Sequence, residues 1–198
     1  MHAPAGLTEA LDLLAGGAAP LGGATDALVE RRREARPAPV LVSVAAVTRL
    51  RPIERTADGL RIGAAATLAE LAEHPVTPRA LADAVATIAS PQVRNAATVG
   101  GNLMQAKRCW FFRNGFDCYK RNGATSPCYA VLGDHRFQHA AVDGHRCQAV
   151  TPSDLATVLV ALDATVEITG TATRTVPVAG LYTGPGRPSC ATASSSRR

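Results

Sequence analysis

Apolar residues recur at helical spacing along several stretches of this chain, and these stretches predict its helices. The predicted helices cover residues 6–15, 68–74, 78–90 and 151–164. Thr8 and Thr67 are candidate N-caps of the first two, because a threonine hydroxyl can accept a hydrogen bond from the first helical turn. Ser153 or Thr151 is expected to cap the last helix, and Pro91 is expected to end the third.

Shorter runs, apolar or alternating and bounded by glycine and proline, predict strands. Residues 18–34, "AAPLGGATDALVERRRE", predict a strand, a glycine turn and a helix in that order. A buried strand is predicted over residues 39–47. Asp58-Gly59 lies at the centre of an alternating run, residues 51–67, and this dipeptide favours a tight hairpin turn. A second pair of hairpin strands is predicted over residues 165–170 and 173–178.

The composition fits a folded protein and excludes several classes of function. The chain has 198 residues, of which 46% are hydrophobic, so it can bury a core. Its net charge is +5, but part of the excess lies in the short clusters 31–33 and 197–198, and no nucleic-acid-binding module is recognisable. No apolar run reaches the ~18 residues of a membrane span, and residues 1–17 lack the basic start of a signal peptide. We therefore expect no nucleic-acid partner, no membrane insertion, and a cytoplasmic location or a periplasmic one reached by co-export with a signal-bearing partner.

Two glycine-rich loops are candidates for binding phosphate. The first glycine loop, residues 21–26, reads "LGGATD", and the second, residues 98–103, reads "TVGGNL". Paired glycines let the backbone approach a ligand closely, and a following helix offers N–H groups and the positive end of its dipole to an anion. Neither loop has the spaced glycines of a Rossmann unit or the lysine of a P-loop, so each alone could equally be a plain tight turn. Together, the two loops could hold a diphosphate from two sides.

Four of the five cysteines fall within one stretch of the chain. Clustered cysteines in an intracellular protein favour metal binding over disulfides, but no CxxC pair is present, so zinc-knuckle and ferredoxin patterns both fail. The clustered cysteines are Cys109, Cys118, Cys128 and Cys147. Four thiolates suit either zinc or an iron–sulfur cluster, and the alternative is a set of structural or free thiols. Nearby residues that could shield such a site or offset its charge are Trp110, Phe111, Phe112, Tyr119, Lys107, Arg108, Arg113, Lys120 and Arg121.

Two motifs resemble those of a known family. Residues 90–103, "SPQVRNAATVGGNL", and residues 151–164, "TPSDLATVLVALDA", resemble the FAD-binding subunit of the xanthine dehydrogenase family of molybdenum hydroxylases. In most of that family the two motifs lie almost next to each other, whereas here residues 104–150 separate them. This stretch, the cysteine segment, resembles the one in the flavin subunit of periplasmic-type aldehyde oxidoreductases, which carries an extra [4Fe–4S] cluster beside the FAD.

The resemblance implies an α+β fold of two FAD-binding subdomains with a cysteine-rich iron–sulfur insertion. Residues 1–52 would form a small N-terminal βαβ unit. Residues 53–183 would form a larger antiparallel sheet with helices, and residues 104–150 would be the iron–sulfur insertion within it. Residues 184–198, which include Cys190, are predicted to be an unstructured tail. The family normally continues into a further α/β domain, so the chain is expected to be truncated.

The resemblance also implies which residues hold the cofactors. The first glycine loop would face the FAD pyrophosphate through Leu21, Gly22, Gly23, Ala24, Thr25 and Asp26. The second glycine loop would do so through Thr98, Gly101 and Asn102, and Asp154 would hydrogen-bond the adenosine ribose. The ligands of the [4Fe–4S] cluster would be Cys109, Cys118, Cys128 and Cys147.

The function implied by the resemblance is electron transfer. The chain would be a subunit of an aldehyde- or xanthine-type oxidoreductase and would pass electrons from a molybdopterin-binding large subunit and a [2Fe–2S] small subunit, through FAD, to an external acceptor. No nucleophile–base constellation favours hydrolysis, and His135 and His139 are expected to be structural. Two alternatives remain open: a zinc-stabilised four-cysteine binding module without flavin, and a truncated, non-functional remnant of the flavin subunit.

Overall fold

A computed structural model gives the three-dimensional structure of the chain. It describes residues 1–32, 40–131, 133–136, 139–142, 144, 146–170 and 172–184. The predicted unstructured tail, residues 184–198, lies outside the described residues except for its first position. Across the described residues, no helix is long and apolar enough to cross a lipid bilayer.

Short helices and two-residue to five-residue connections dominate the described residues. The helices are α1 (Leu7–Ala15), α2 (Ala27–Arg31), α3 (Leu68–Glu73), α4 (Arg79–Ala86), α5 (Pro91–Arg94), α6 (Val99–Leu103), α7 (Trp110–Arg113), α8 (Tyr119–Asn122) and α9 (Asp154–Ala161). The strands are β1 (Ala19–Leu21), β2 (Leu41–Ser43), β3 (Ile53–Thr56), β4 (Gly59–Ile62), β5 (Thr165–Thr169) and β6 (Thr173–Pro177).

The N-terminal part of the chain forms the predicted βαβ arrangement. Strands β1 and β2 pair in parallel, with Ala19 opposite Leu41, and α2 lies between them in the sequence. The predicted strand over residues 39–47 is shorter in the structure, because the chain turns into a 3₁₀ helix at Val44–Ala46. That turn brings Val47 back into a small buried cluster formed by Ala10, Val42 and Val47. A domain boundary at residue 52 stays a prediction.

A larger hydrophobic core lies among α3, α4, α6 and α9. Its most deeply buried members, all with an exposed fraction of 2% or less, are Ala66, Leu68, Leu71, Leu81, Val85, Leu155, Val178 and Leu181. The antiparallel hairpins β3–β4 and β5–β6 cover this core with alternate apolar side chains, among them Ile53, Ile62, Val166 and Val176. The hairpins are separate two-stranded sheets in the described residues, so the predicted larger antiparallel sheet is not formed there. Each hairpin buries its apolar face on the helices. The two hairpins contact each other through a polar pair, in which an Arg61 terminal nitrogen donates to Glu167 Oε1 at 3.1 Å.

Side-chain caps determine where two of the predicted helices begin. Thr67 caps α3 in a reciprocal pair: its Oγ1 accepts from the Glu70 N–H at 3.1 Å, and the Glu70 carboxylate accepts from the Thr67 N–H at 2.7 Å. Ser153, and not Thr151, caps α9, since its Oγ accepts from the Ala156 N–H at 3.0 Å. Both caps were signalled by a Ser or Thr directly before an apolar run.

Two predicted helix ends are wrong. Thr8 does not cap α1, because the helix already begins at Leu7 and Gly6 holds the cap position without a side-chain hydrogen bond. The helix predicted to run to residue 90 ends at Ala86, and Pro91 begins α5 instead of only stopping the helix before it. Proline suits the first turn of a helix, because an N–H at that position would have no acceptor within the helix.

The cysteine segment has little regular structure. Its helices α7 and α8 have four residues each, and turns connect them. Three aromatic rings pack against one another, with centroids 5.4 Å apart for Phe111 and Phe116, 5.8 Å for Phe111 and Tyr129, and 5.3 Å for Phe116 and Tyr129. Such ring pairs add a small stabilisation beyond the area that they bury.

Candidate functional site

The first glycine loop lies directly against the segment that leads into the second. A Cβ atom on Gly23 would lie 1.7 Å from the Ala96 carbonyl oxygen, and one on Gly22 would lie 2.5 Å from Thr98 Oγ1. Atoms cannot approach that closely, so Gly23 is required by a backbone contact and Gly22 by a contact with the Thr98 side chain. The sequence predicted glycine for closeness to a ligand, and the structure shows closeness between the two loops.

The next residues of the first glycine loop turn the chain into α2. Ala24 has a φ of +65°, a left-handed conformation that is uncommon for a residue with a Cβ. Thr25 is exposed, and Asp26 follows at the cap position of α2 without a side-chain bond to that helix. The strained turn directs the Asp26 carboxylate away from α2, to a partner described below.

The second glycine loop is held by its own threonine. Thr98 is buried, caps α6, and accepts a hydrogen bond from the Gly101 N–H at 3.1 Å. Gly100 lies against Ala64, where an added Cβ would be 3.0 Å from both the Ala64 Cβ and its carbonyl oxygen. The Thr98 hydroxyl oxygen, predicted to face a pyrophosphate, is therefore engaged in shaping its own loop.

Ser153 joins the second glycine loop to the helix that follows the cysteine segment. Its hydroxyl donates to Asn102 Oδ1 at 2.8 Å while its oxygen accepts from the Ala156 N–H. Asn102 thereby has its carbonyl oxygen occupied, which leaves its amide NH₂ as the end able to donate to a phosphate oxygen. Asp154, the predicted ribose contact, is exposed at the first turn of α9. The sequence predicted Ser153 only as a cap, because nothing local signals a partner 51 residues away.

The four clustered cysteines line one cavity. Cys109, Cys118 and Cys147 are buried, and Cys128 is half-buried. The cavity wall is completed by Phe111, Phe112, Tyr119, Lys120, Tyr129, Ala130 and Ala149. The cavity is about 10 Å³, which is room for one water molecule, so a larger group would require the thiols to move apart. Within the part of the chain that the structure describes, no three Cys, His, Asp or Glu side chains form a group that could hold a metal ion.

Burial sets the protonation of these thiols. It raises the pKa of Cys109 and of Cys147, and neighbouring thiols raise both further. Backbone N–H groups oppose the rise: those of Phe111 and Phe112 point to Cys109, and that of Ala149 points to Cys147. Cys109 and Cys147 are therefore protonated at neutral pH, and binding a metal would release their protons.

His139 contacts the cysteine cavity from the far end of the segment. Its Nε2 lies 3.1 Å from Cys109 Sγ, and its ring is 6.4 Å from that of Phe111, centroid to centroid. The sequence predicted only a structural role for His139, since no spacing relates it to a cysteine 30 residues earlier.

The basic residues predicted to offset the charge of the thiolates do not all lie at the cysteine cavity. Lys120 lines the cysteine cavity, and Lys107 is buried near Cys147. Burial lowers the pKa of Lys107, with Cys147 opposing and Lys120 adding to the shift. Arg121 turns away and donates to the Phe112 carbonyl oxygen at 2.6 Å.

Arg113 also turns away from the cysteines and reaches the first glycine loop. Its two terminal nitrogens donate to the two carboxylate oxygens of Asp26 at 2.8 and 2.7 Å. The Arg113 side chain is 8% exposed and that of Asp26 24%. Asp26 pairs its carboxylate with an arginine of the cysteine segment, and its contact with the pyrophosphate stays a prediction.

A second cavity, of about 160 Å³, lies between the second glycine loop and the cysteine segment. Its lining residues are Leu103, Met104, Gln105, Ala106, Lys107, Phe112, Lys120, Thr151, Pro152 and Tyr182. Phe112 and Lys120 also line the cysteine cavity, so the two cavities share a wall. A group bound in one would lie next to a group bound in the other.

Comparisons with known proteins identify relatives of this chain. The sequence is 42% identical over 138 residues to the aldehyde oxidoreductase FAD-binding subunit PaoB of Escherichia coli (strain K12), a match that covers 66% of this chain and 43% of PaoB. It is 33% identical over 193 residues to the putative xanthine dehydrogenase FAD-binding subunit XdhB of the same organism, covering 94% of this chain and 51% of XdhB. The chain thus spans about half the length of these relatives.

Solved structures show the same fold. A carbon monoxide dehydrogenase from Hydrogenophaga pseudoflava superposes with a TM-score of 0.66 at 22% identity, over 94% of this chain and 53% of that one. Quinoline 2-oxidoreductase from Pseudomonas putida 86 superposes with a TM-score of 0.68 at 21% identity, over 95% and 53%. The family model described as the FAD binding domain in molybdopterin dehydrogenase matches residues 1–194. The chain, with its two packed glycine loops, therefore belongs to the family of FAD-binding domains of molybdopterin dehydrogenases.

Proposed function

We propose that this chain is the FAD- and [4Fe–4S]-containing electron-transfer subunit of a molybdenum hydroxylase that oxidises an aldehyde or a xanthine-type substrate. The observation that carries the proposal is the contact between two candidate cofactor sites. The glycine loops pack on each other, and the Arg113–Asp26 pair joins the first loop to the cysteine segment. The cavity beside the second loop shares a wall, formed by Phe112 and Lys120, with the cysteine cavity. Redox groups held at these places would be neighbours.

The two glycine loops and the start of α9 would hold the FAD. Gly22 and Gly23 bring the backbone of both loops to one place, where N–H groups can meet a pyrophosphate. Asn102, fixed by Ser153, would donate its amide to a phosphate oxygen, and the exposed Asp154 could accept from a ribose hydroxyl. When bound, FAD supplies a group that takes up and releases electrons.

Cys109, Cys118, Cys128 and Cys147 would ligate the [4Fe–4S] cluster. Their thiols share one cavity, and four cysteine thiolates are the usual ligand set of such a cluster. The backbone N–H groups that point to Cys109 and Cys147 would stabilise negative charge on these sulfurs. The surrounding aromatic rings would keep water away from them.

The proposed partners are a molybdopterin-binding large subunit and a [2Fe–2S] small subunit, with an external electron acceptor. The support is the family membership and the likeness to PaoB and XdhB, both of which are named as FAD-binding subunits. In such a complex this chain would position the flavin between the incoming electrons and the acceptor.

Cofactor content tests the proposal directly. The chain is purified without oxygen, its visible spectrum is recorded, and flavin, iron, sulfide and zinc are assayed on one sample. We expect FAD together with about four iron and four sulfide atoms per chain. Flavin without iron would contradict the cluster, and iron without flavin would contradict the FAD site. A colourless protein with one zinc would support the binding-module alternative and contradict the proposal as a whole.

A further inference from the structure

We infer that Arg113 is a positioning residue that couples the cysteine segment to the flavin loop, so that the order of the loop depends on the segment. This inference rests on the proposed function for the identity of the two cofactors. The physical link itself is a set of contacts between Arg113, its own segment and the first glycine loop.

Arg113 is held firmly from its own side. Its Nε donates to the Lys107 carbonyl oxygen at 2.8 Å, and one terminal nitrogen donates to the Ala106 carbonyl oxygen at 3.0 Å. Its backbone N–H donates to the Cys109 carbonyl oxygen at 2.9 Å. Cys109, a proposed cluster ligand, and Arg113 are thus separated by one helical turn, so a change at the cysteine moves the guanidinium.

The other end of the link is the first glycine loop. The paired terminal nitrogens of Arg113 match the two oxygens of Asp26, a geometry that lysine cannot reproduce. Asp26 follows the strained Ala24 and precedes α2, so its carboxylate is the side chain that anchors this turn. Loss of Arg113 would free the turn.

Arg113 also has an electrostatic effect on the loop. A carboxylate next to a pyrophosphate site would repel the ligand, and Arg113 cancels that charge with a buried partner. Removing Arg113 would leave an uncompensated Asp26 carboxylate, which repels the pyrophosphate. Removing the Asp26 carboxylate would leave the Arg113 cation, which does not repel it. The two single substitutions therefore have unequal effects on flavin binding.

The experiment combines Arg113→Gln, Asp26→Asn and their double variant. FAD affinity is measured by flavin fluorescence quenching, and backbone amide exchange of residues 22–27 is measured without flavin. We expect R113Q to weaken FAD binding by about 5- to 150-fold, the usual range of coupling between sites. D26N should weaken it less, and adding D26N to R113Q should restore part of the affinity. Equal losses in both single variants, with no recovery in the double, would contradict the electrostatic part of the inference.

The coupling to the cysteine segment needs a second comparison. Removing the cluster through Cys118→Ser should speed loop exchange in the wild-type background and add little in the R113Q background. An equal increase in both backgrounds would overturn the coupling. Arg136→Gln is the matched control, because Arg136 pairs with Asp134 at 2.9 Å on the exposed surface of the same segment and should leave the loop unchanged.

The two levels of inference fail separately. A wild-type protein that binds neither flavin nor iron would contradict the proposed function, while the exchange of residues 22–27 would still report whether Arg113 anchors the loop. An unchanged exchange rate in R113Q, in a protein loaded with both cofactors, would contradict the coupling and leave the proposed function intact.

Discussion

The core around α3, α4 and α9 and the cysteine segment are held together by different forces. The core buries aliphatic side chains, such as Leu68, Leu71 and Leu155, at 0% exposure. The cysteine segment buries thiols and charges, such as Cys118, Lys107 and Arg113. Aliphatic burial is favourable without any partner, whereas a buried cation stabilises a fold only when it has one. The comparison predicts that the core tolerates the loss of a polar contact better than the cysteine segment does.

The largest expected effect is on the iron content of the cysteine segment. Cys118→Ser should reduce the iron content from about four atoms per chain to less than one, because a proposed ligand is lost. The helical circular dichroism of the core should stay unchanged. Cys190→Ser is the control, since Cys190 is outside the proposed ligand set, and it should keep its iron. Full iron retention in C118S would show that this cysteine is not a ligand.

A cavity in the core should damage both regions together. Leu155 is fully buried on α9, so Leu155→Ala should reduce the free energy of unfolding by about 2–5 kcal/mol. Flavin and iron contents should fall in parallel as the scaffold loosens. Leu162→Ala removes the same side chain from an exposed position and should cost less than about 0.5 kcal/mol in a thermal or denaturant melt.

Adding a single methyl group at Gly23 should disrupt the flavin site and leave the cysteine segment intact. Gly23→Ala would drive a Cβ into the Ala96 carbonyl oxygen and force the loops apart, at a cost of about 1–3 kcal/mol. We expect FAD to be lost while iron is retained. Gly180→Ala, at a glycine whose Cβ would meet open space, should bind both cofactors normally. Normal FAD affinity in G23A would mean that the loop contact is not required.

A smaller effect is expected where α9 meets the second glycine loop. Ser153→Ala removes the helix cap and the bond to Asn102 together, which should cost about 1–2 kcal/mol and raise the FAD dissociation constant. Ser90→Ala removes only a cap, the one on α5. It should destabilise the protein by a similar or smaller amount without changing FAD affinity. Equal FAD affinities in both variants would show that the hydrogen bond between Ser153 and Asn102 does not contribute to FAD binding.

The smallest effect concerns the reciprocal cap of α3 and its pH dependence. The hydrogen bond from the Thr67 N–H lowers the pKa of Glu70 below its ordinary 4.5, and Arg51 lowers it further. Its contribution to stability is therefore complete above pH 4.5 and is lost as pH falls through the lowered value. Glu70→Ala should cost about 0.5–1 kcal/mol at neutral pH, and the difference from wild type should shrink on acidification. Glu73→Ala, on the same helix, should show neither effect.

Local signals predicted several helices and strands and two of the caps, while contacts distant in sequence could not be predicted. Thr67 and Ser153 were identifiable because a cap needs only a hydroxyl before an apolar run. The packing of Gly23 on Ala96 has no local signal, since any tight turn would show the same glycines. The Arg113–Asp26 pair joins residues 87 positions apart, and a run of five candidate cations offered no way to choose among them.

The convergence of the four cysteines was predicted through resemblance alone. Spacings of eight, nine and eighteen intervening residues place no two thiols on one turn or helix face. Phe111 and Tyr129 line their common cavity and pack on each other, and aromatic packing between separate turns leaves no periodic pattern in a sequence.

The two ends of the cysteine segment meet. Met104 and Gln105 at its start, and Thr151 and Pro152 directly after its end, line the same cavity. A chain that leaves and re-enters a scaffold at one point can be lengthened or shortened there without disturbing the scaffold. The segment can thus be regarded as an insertion at one point of the flavin domain. A short glycine-rich bridge between residues 104 and 151 would remove Arg113 with the segment and leave the Asp26 carboxylate without this partner, so the shortened protein should bind FAD more weakly.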